Sequence, residues 1–327
     1  MNNPPLLRVQ GLKVEIPTRH GLLLALDDSS FEIAPGEILG FVGESGAGKS
    51  LTGMAILGLL DPPAHTSAGQ IWLGDKRIDN LSQREMRRIR GKEIGAVFQD
   101  PLMSLNPVLQ IGDQLIETIR THLPVSREQA TQRALALMRA VGIPAPEDRF
   151  TAFPHQFSGG MRQRIVIALA LCAEPRLVVA DEPTTALDVS IQAQVLQLLK
   201  ELCRDKGTAM LLVTHDMGVI AETADRVAVM YAGRIVELGT VEDVVNRPVH
   251  PYTQGLMGAI PTLKRITGPL AQIDGSMPRL NARPGGCAFH PRCPHAVAQC
   301  REQEPAVEEH DGRQVACWMP HLVKEAA

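Results

Sequence analysis

The stretch "EILGFVGESGAGKSLTGMAILGLL", residues 37–60, decides how the rest of the chain is read. Its opening, "EILGFVG" (37–43), is a short apolar run ending in glycine and reads as a buried strand. Its close, "KSLTGMAILGLL" (49–60), spaces apolar residues as a helix does. Between them "GESGAGKS" (43–50) satisfies the pattern G-x-x-x-x-G-K-[ST] in the strand-to-helix setting that the pattern requires. Gly43 and Gly48 let the backbone curl so that successive N–H groups converge on phosphate oxygens, and Glu44, Ser45, Gly46 and Ala47 complete the loop. Lys49 brings positive charge to the β- and γ-phosphates, Ser50 offers a hydroxyl to Mg²⁺, and the helix points its positive end at the anion. At average residue usage such a pattern arises by chance in roughly one chain of this size in a hundred.

Working outward, "IGAVFQ" (94–99), "RLVVAD" (176–181), "AMLLVTH" (209–215) and "RVAVMY" (226–231) read as further short strands. The amphipathic "DVSIQAQVLQLLKELCRDK" (188–206) lies between two of them. Strand–helix alternation of this kind implies a parallel sheet with helices on both faces. The segment from about 100 to 175 breaks the alternation with three helical patterns, so it reads as a helical insertion in an α/β core. After Asn246 frequent prolines mark a loop-rich extension, 247–327, in which only "PYTQGLMGAI" (251–260) looks helical.

Composition narrows the function classes. With 44% hydrophobic and 21% charged residues, 327 residues suffice for more than one domain of ordinary globular make-up. A net charge of −3 and 3% aromatic residues argue against nucleic acid as a partner. The start "MNNPPLLRVQ" lacks a signal-peptide pattern, and the longest apolar run, Ile165 to Ala173, is far short of the ~18 residues a membrane span needs. The expectation is a cytosolic protein that meets a membrane only through a partner.

The strand "LVVADE" (177–182) delivers Asp181 and Glu182 at its carboxyl end, where ligands bind in open α/β sheets. Asp181 suits Mg²⁺, and Glu182 suits polarisation of an attacking water. More selective is "FSGGMRQR" (157–164), in which Ser158 can cap a helix whose first N–H groups Gly159 and Gly160 leave open. It lies between "VFQDP" (97–101) and the acidic strand; "TTALD" (184–188) and "VTHD" (213–216) follow. This ordered set, over about residues 6 to 245, resembles the ATP-binding subunit of ATP-binding cassette (ABC) transporters.

The resemblance implies a RecA-like P-loop NTPase core with a β-subdomain and a helical subdomain, in a nucleotide-binding domain over 1–246. It implies that Gln99 contacts Mg²⁺ and the attacking water, and that His215 contacts the γ-phosphate and aligns Glu182. It also implies that Ser158, Gly159 and Gly160 cap the γ-phosphate of ATP held by an opposite subunit, with Asp188 at that interface. Two subunits would then sandwich two ATP molecules and open on hydrolysis. Two positions depart from the family pattern. Met161 replaces the usual glutamine after the serine and glycines, and Ile16 stands where an aromatic usually stacks on adenine, with Arg19 and His20 as possible substitutes.

"RPVHPYTQGLMGAIP" (247–261) and the cysteine-bearing tail, "GCAFHPRCPHAVAQC" (286–300) with Cys317, resemble ATPases of bacterial dipeptide and oligopeptide importers. That resemblance implies a second, related ATPase chain, two transmembrane permease subunits, an external solute-binding protein, and a place at the cytoplasmic face of the inner membrane. In a reducing cytosol Cys287, Cys293, Cys300 and Cys317 suit Zn²⁺ or an iron–sulfur cluster rather than disulfides, the alternative being four unligated thiols in a loose tail. Their spacing lacks C-x-x-C pairs and does not choose between the two; the resemblance favours [4Fe–4S]. His290 and His295 are alternative ligands or plain loop histidines, while Cys172 and Cys203 fall on apolar helix faces and read as core. The competing functions are a non-transport cassette protein, an exporter subunit, and a redox-sensing regulator with secondary ATPase activity. The single cassette and the importer-type tail weigh against the first two.

Overall fold

The computed structural model describes residues 4–184, 187–259 and 272–320. Thr185 and Ala186 of "TTALD", and Ile260 at the end of the tail's helical stretch, lie outside the described residues. The strands, in chain order, begin with β1 (Leu7–Thr18), β2 (Gly21–Ile33), β3 (Ile38–Val42), β4 (His65–Leu73) and β5 (Lys76–Arg77). β6 (Ile94–Val97), β7 (Leu177–Asp181), β8 (Ala209–Val213), β9 (Arg226–Tyr231) and β10 (Arg234–Thr240) follow. β11 (Glu308–His310) and β12 (Arg313–Val315) lie in the tail. The chain divides into two compact units.

One unit is built mainly from Asn80–Leu212. Here β6 and β7 run parallel, with Ile94 opposite Leu177 and Val97 opposite Ala180. Between Pro101 and Leu171 every regular element is helical, including Ile111–His122, Arg127–Ala140 and Gly159–Leu171. The helix Arg127–Ala140 starts where Ser126 accepts the Gln129 N–H and the Gln129 side chain returns a bond to the Ser126 N–H. This reciprocal cap satisfies two N–H groups that the helix cannot use itself. Cys172 and Cys203 have no exposed surface, and burial pushes both thiols up to about 12, as core positions should.

The other unit comprises Arg8–Glu32, Ile38–Asp79 and the described residues from Val213 onward. It holds a four-stranded sheet ordered β2-β1-β4-β5. It also holds β3, which pairs in parallel with β9, Leu39 opposite Arg226 and Val42 opposite Val229. All five residues of β3 are buried. Burying a side chain such as Ile38, Leu39 or Phe41 contributes about 1.5–3 kcal/mol, which offsets much of the entropy lost in ordering the strand. β10 then runs antiparallel to β9.

The tail is more structured than its prolines suggest. The helix Pro251–Gly258 forms where the sequence places one. In addition β12 pairs antiparallel with β10, Glu237 opposite Val315, and β11 pairs with β12. The extension therefore adds two strands to the sheet edge rather than hanging as a loop-rich appendage. Three-residue strands such as "EEH" are too short and polar to show a period-2 pattern; β12 forms by pairing to β10, and β11 by pairing to β12. Two polar knots key the tail in place. Fully buried Glu237 accepts the N–H groups of Val249 and His250, at 3.0 and 2.9 Å, with Arg313 3.6 Å away. Asp27 gathers Lys13, Arg234 and the tail residue Arg283 at 3.0, 2.6 and 3.4 Å. Burial opposes the charge of Asp27, yet the bonds from Lys13 and Arg234 outweigh it and hold the carboxyl below its usual range.

Candidate nucleotide site

β3 delivers Gly43 to the start of the phosphate loop, and the helix Lys49–Leu57 begins at its end. The two outer glycines are dictated by space as well as by conformation. A Cβ on Gly43 would lie 2.3 Å from the Met230 carbonyl oxygen, and one on Gly48 would lie 2.6 Å from Leu26 Cδ2. Gly48 also has φ of 106°, a region closed to residues with a side chain. Ala47 N–H donates to the Glu44 carbonyl at 3.1 Å, which tightens the turn. Lys49 is 5% exposed, and its Nζ donates to the carbonyls of Gly43 and Glu44 at 2.7 and 3.0 Å. The ammonium is thus held at the loop it serves, and Ser50 follows as the second residue of the helix.

In the same unit the Thr214 N–H donates to the Phe41 carbonyl at 3.0 Å. Asp216 caps the helix Met217–Thr223 by accepting from Gly218 and Val219. His215 sits between these two anchors with its side chain exposed. Ile16 is half-buried near the end of β1, and Arg19 and His20 are exposed in the turn that follows.

In the other unit the register of β6 and β7 sets the geometry. Because Val97 lies opposite Ala180, Gln99 and Glu182 fall at matching heights beyond the strand ends. Gln99 Nε2 donates to a Glu182 carboxylate oxygen at 3.1 Å. Glu182 has φ of 45°, an uncommon conformation for a residue with a long side chain and one that clusters at functional sites. Asp181 is the last residue of β7. Ser158 caps the helix Gly159–Leu171 by accepting the Met161 N–H at 3.4 Å, with Ser158 and Gly159 exposed. Asp188 occupies the N-cap position of the helix Val189–Asp205, exposed.

The four tail cysteines line one cavity, joined on its wall by His250, His290 and His295. The Cys287 N–H donates to the Cys300 carbonyl at 2.8 Å. Burial, then the nearby Cys300 and Cys293, push the Cys287 thiol up to about 11. Burial and the other three thiols do the same to Cys317. All four are free thiols, and among the described residues no three His, Cys, Asp or Glu side chains converge closely enough to hold a metal ion. What sequence reasoning did not find is that Arg292 and Tyr252 meet the phosphate loop at Glu44, with Tyr231 Oη 3.4 Å from the Arg292 guanidinium. An arginine in a proline-rich tail carries no sequence signal for such a contact.

Two family models match the chain: "ABC transporter" over residues 26–185, and "Oligopeptide/dipeptide transporter, C-terminal region" over 236–300. In structure the chain is similar to a dimeric post-hydrolysis state of the ATP-binding cassette MJ0796 bound to ADP and Pi. That match has a TM-score of 0.65 at 27% identity and covers 72% of this chain and 98% of the other. With the phosphate loop, the paired Gln99 and Glu182 and the capped Ser158 in place, the chain belongs to the ABC transporter ATPases. Among curated proteins it is 48% identical to the dipeptide transport ATP-binding protein DppD of Bacillus subtilis, over 96% of this chain and 94% of that one. It is also 48% identical to the oligopeptide transport ATP-binding protein OppD of the same organism, over 97% and 89%. Within the ABC ATPases it therefore belongs to the dipeptide and oligopeptide transport ATP-binding proteins.

Proposed function

We propose that this chain supplies half of an ATP-driven clamp for peptide import, with its cassette over 1–246 and its extension over 247–327. The observation that carries the reading is the Gln99–Glu182 contact at the ends of two parallel strands, which readies a carboxylate for water activation. The loop of Gly43, Glu44, Ser45, Gly46, Ala47, Gly48 and Lys49 holds the phosphates through backbone N–H groups and the Lys49 ammonium, not through the Glu44 side chain. The hydroxyl of Ser50, the carboxamide of Gln99 and the carboxylate of Asp181 are each oxygen donors of the kind that Mg²⁺ takes. When bound, that ion neutralises charge on the phosphoryl oxygens. Glu182 takes the water proton, and His215 orients the γ-phosphate and Glu182. Ser158, Gly159, Gly160 and Asp188 serve the ATP of a second, related ATPase chain. Neither half completes the phosphate cage alone, so ATP favours the closed pair through contacts the open pair lacks.

No helix among the described residues is long and apolar enough to cross a membrane. A peripheral place at the cytoplasmic face of the inner membrane, beneath two permease subunits served by an external binding protein, suits this chain. Support comes from Leu102, Met103 and Val108, which are 55, 86 and 74% exposed within a short segment. Exposed apolar clusters of this kind mark contact surfaces. Replacing both Leu102 and Met103 with Asp is expected to abolish co-purification with the permeases while the chain still binds MgADP. A variant that stays in the complex would remove this segment from the interface.

The four cysteines on the cavity wall are sulfur donors of the kind that a [4Fe–4S] cluster or Zn²⁺ takes; they would have to draw together to hold either, which would then cross-link the tail. We favour the cluster. Anaerobically purified protein should contain iron and sulfide, with visible absorption that reductant bleaches and that Cys293→Ser removes. Zinc without iron would make it a zinc site, and neither metal would leave four structural thiols.

A further inference from the structure

Two residues of the tail close on Glu44, the second residue of the phosphate loop. Tyr252 Oη accepts the Glu44 N–H at 2.9 Å. Arg292 Nη1 donates to both Glu44 carboxylate oxygens, at 2.9 and 3.1 Å, and lies 3.4 Å from Tyr231 Oη. Arg292 is itself held from behind: its Nε donates to the Asp274 carbonyl at 2.8 Å and its Nη2 to that of Ile273 at 3.3 Å. The guanidinium also lies 5.8 and 6.0 Å from the ring centroids of Tyr231 and Phe289. Those rings pack with Tyr252 at centroid distances of 4.7 to 5.4 Å. The Arg292 side chain is 7% exposed and that of Glu44 28%. This is a sheltered, multiply anchored ion pair, unlike the loose surface pairs that contribute little.

A carboxylate in a loop that must accept a polyphosphate is an electrostatic liability, since like charges repel and the loop's N–H groups are there to attract anions. We propose that Arg292 is a positioning residue for nucleotide binding. It cancels the charge of Glu44, so that the glycine-rich loop, which Tyr252 ties through the Glu44 N–H, accepts a polyphosphate. Glu44 also offers its carbonyl to Lys49, so its placement helps set that of the ammonium. A loop ordered before the ligand arrives loses less entropy on binding. The inference rests on the phosphate-loop reading above.

The test uses the full-length chain and MgADP titrated by calorimetry at low and high ionic strength. Arg292→Met exposes the Glu44 charge and is expected to weaken binding roughly tenfold, the value of a charged hydrogen bond, and more at low salt than at high. Adding Glu44→Gln to that variant removes the stranded charge and should recover affinity to within about threefold of wild type. A purely structural strap predicts the opposite, a double variant as weak as the single or weaker. Wild-type affinity in Arg292→Met, or no recovery in the double variant, overturns the proposal. If Arg292→Met fails to fold, Arg292→Lys keeps the charge without the fork. It should then lose less than threefold, and a tenfold loss there, independent of salt, also overturns the proposal. Failure of wild type to bind MgADP would sink the phosphate-loop reading and this proposal together.

Discussion

Glu182→Gln is expected to bind MgATP as tightly as wild type and to hydrolyse it about 10²–10⁴-fold more slowly, the range general-base catalysis supplies. The substitution is nearly isosteric. The Gln99 Nε2 group, which donates to Glu182 at 3.1 Å, still finds an amide oxygen to accept it. The unusual backbone, φ 45° just past the end of β7, is no harder for glutamine to adopt than for glutamate. What disappears is a group able to accept the water proton. Phosphate release by the assembled complex, measured beside retention of bound ATP, separates the two effects. Near-normal turnover would show that another group acts as base.

The second large effect is expected at Lys49. Lys49→Ala should weaken MgADP binding by roughly 100-fold, corresponding to about 2.7 kcal/mol and within the range for hydrogen bonds to a charged partner. The ammonium is nearly buried and already bonded to the carbonyls of Gly43 and Glu44, so little side-chain entropy remains to be lost when phosphate arrives. Its removal deletes the charge and frees two carbonyls whose negative ends repel phosphate. Lys49→Arg should rescue only part of the loss, because a planar fork cannot replace a compact point charge in a tight loop. Calorimetry on the full-length chain reads both variants. A Lys49→Ala protein within threefold of wild type would remove Lys49 from phosphate binding.

The core strands were legible because their runs of buried apolar residues are contiguous: "ILGFV" and "LVVAD" contain no position that suits solvent until the chain reaches its ligand. The helix Ile111–His122 was legible from its apolar periodicity, and Gly159–Leu171 from Ser158 at its cap. Family resemblance assigned Gln99 to Mg²⁺ and the attacking water, and its hydrogen bond to Glu182 was not anticipated. The physical basis of that bond is the parallel register of β6 and β7, a relation across 83 residues of sequence that no local pattern carries.

From the sequence alone come the phosphate loop, the capped serine–glycine helix, the acidic strand end and the four thiols. These follow from local chemistry: glycines where the backbone must turn, donors where an anion must sit, and short-range periodicity. Only the tertiary structure decided that the tail adds β11 and β12 to the sheet edge, and that Tyr252 and Arg292 reach back to Glu44. Edge pairing and a sheltered ion pair depend on which distant surfaces come together. A polar three-residue strand or a lone arginine acquires its role from the partner it meets, not from its neighbours in the chain.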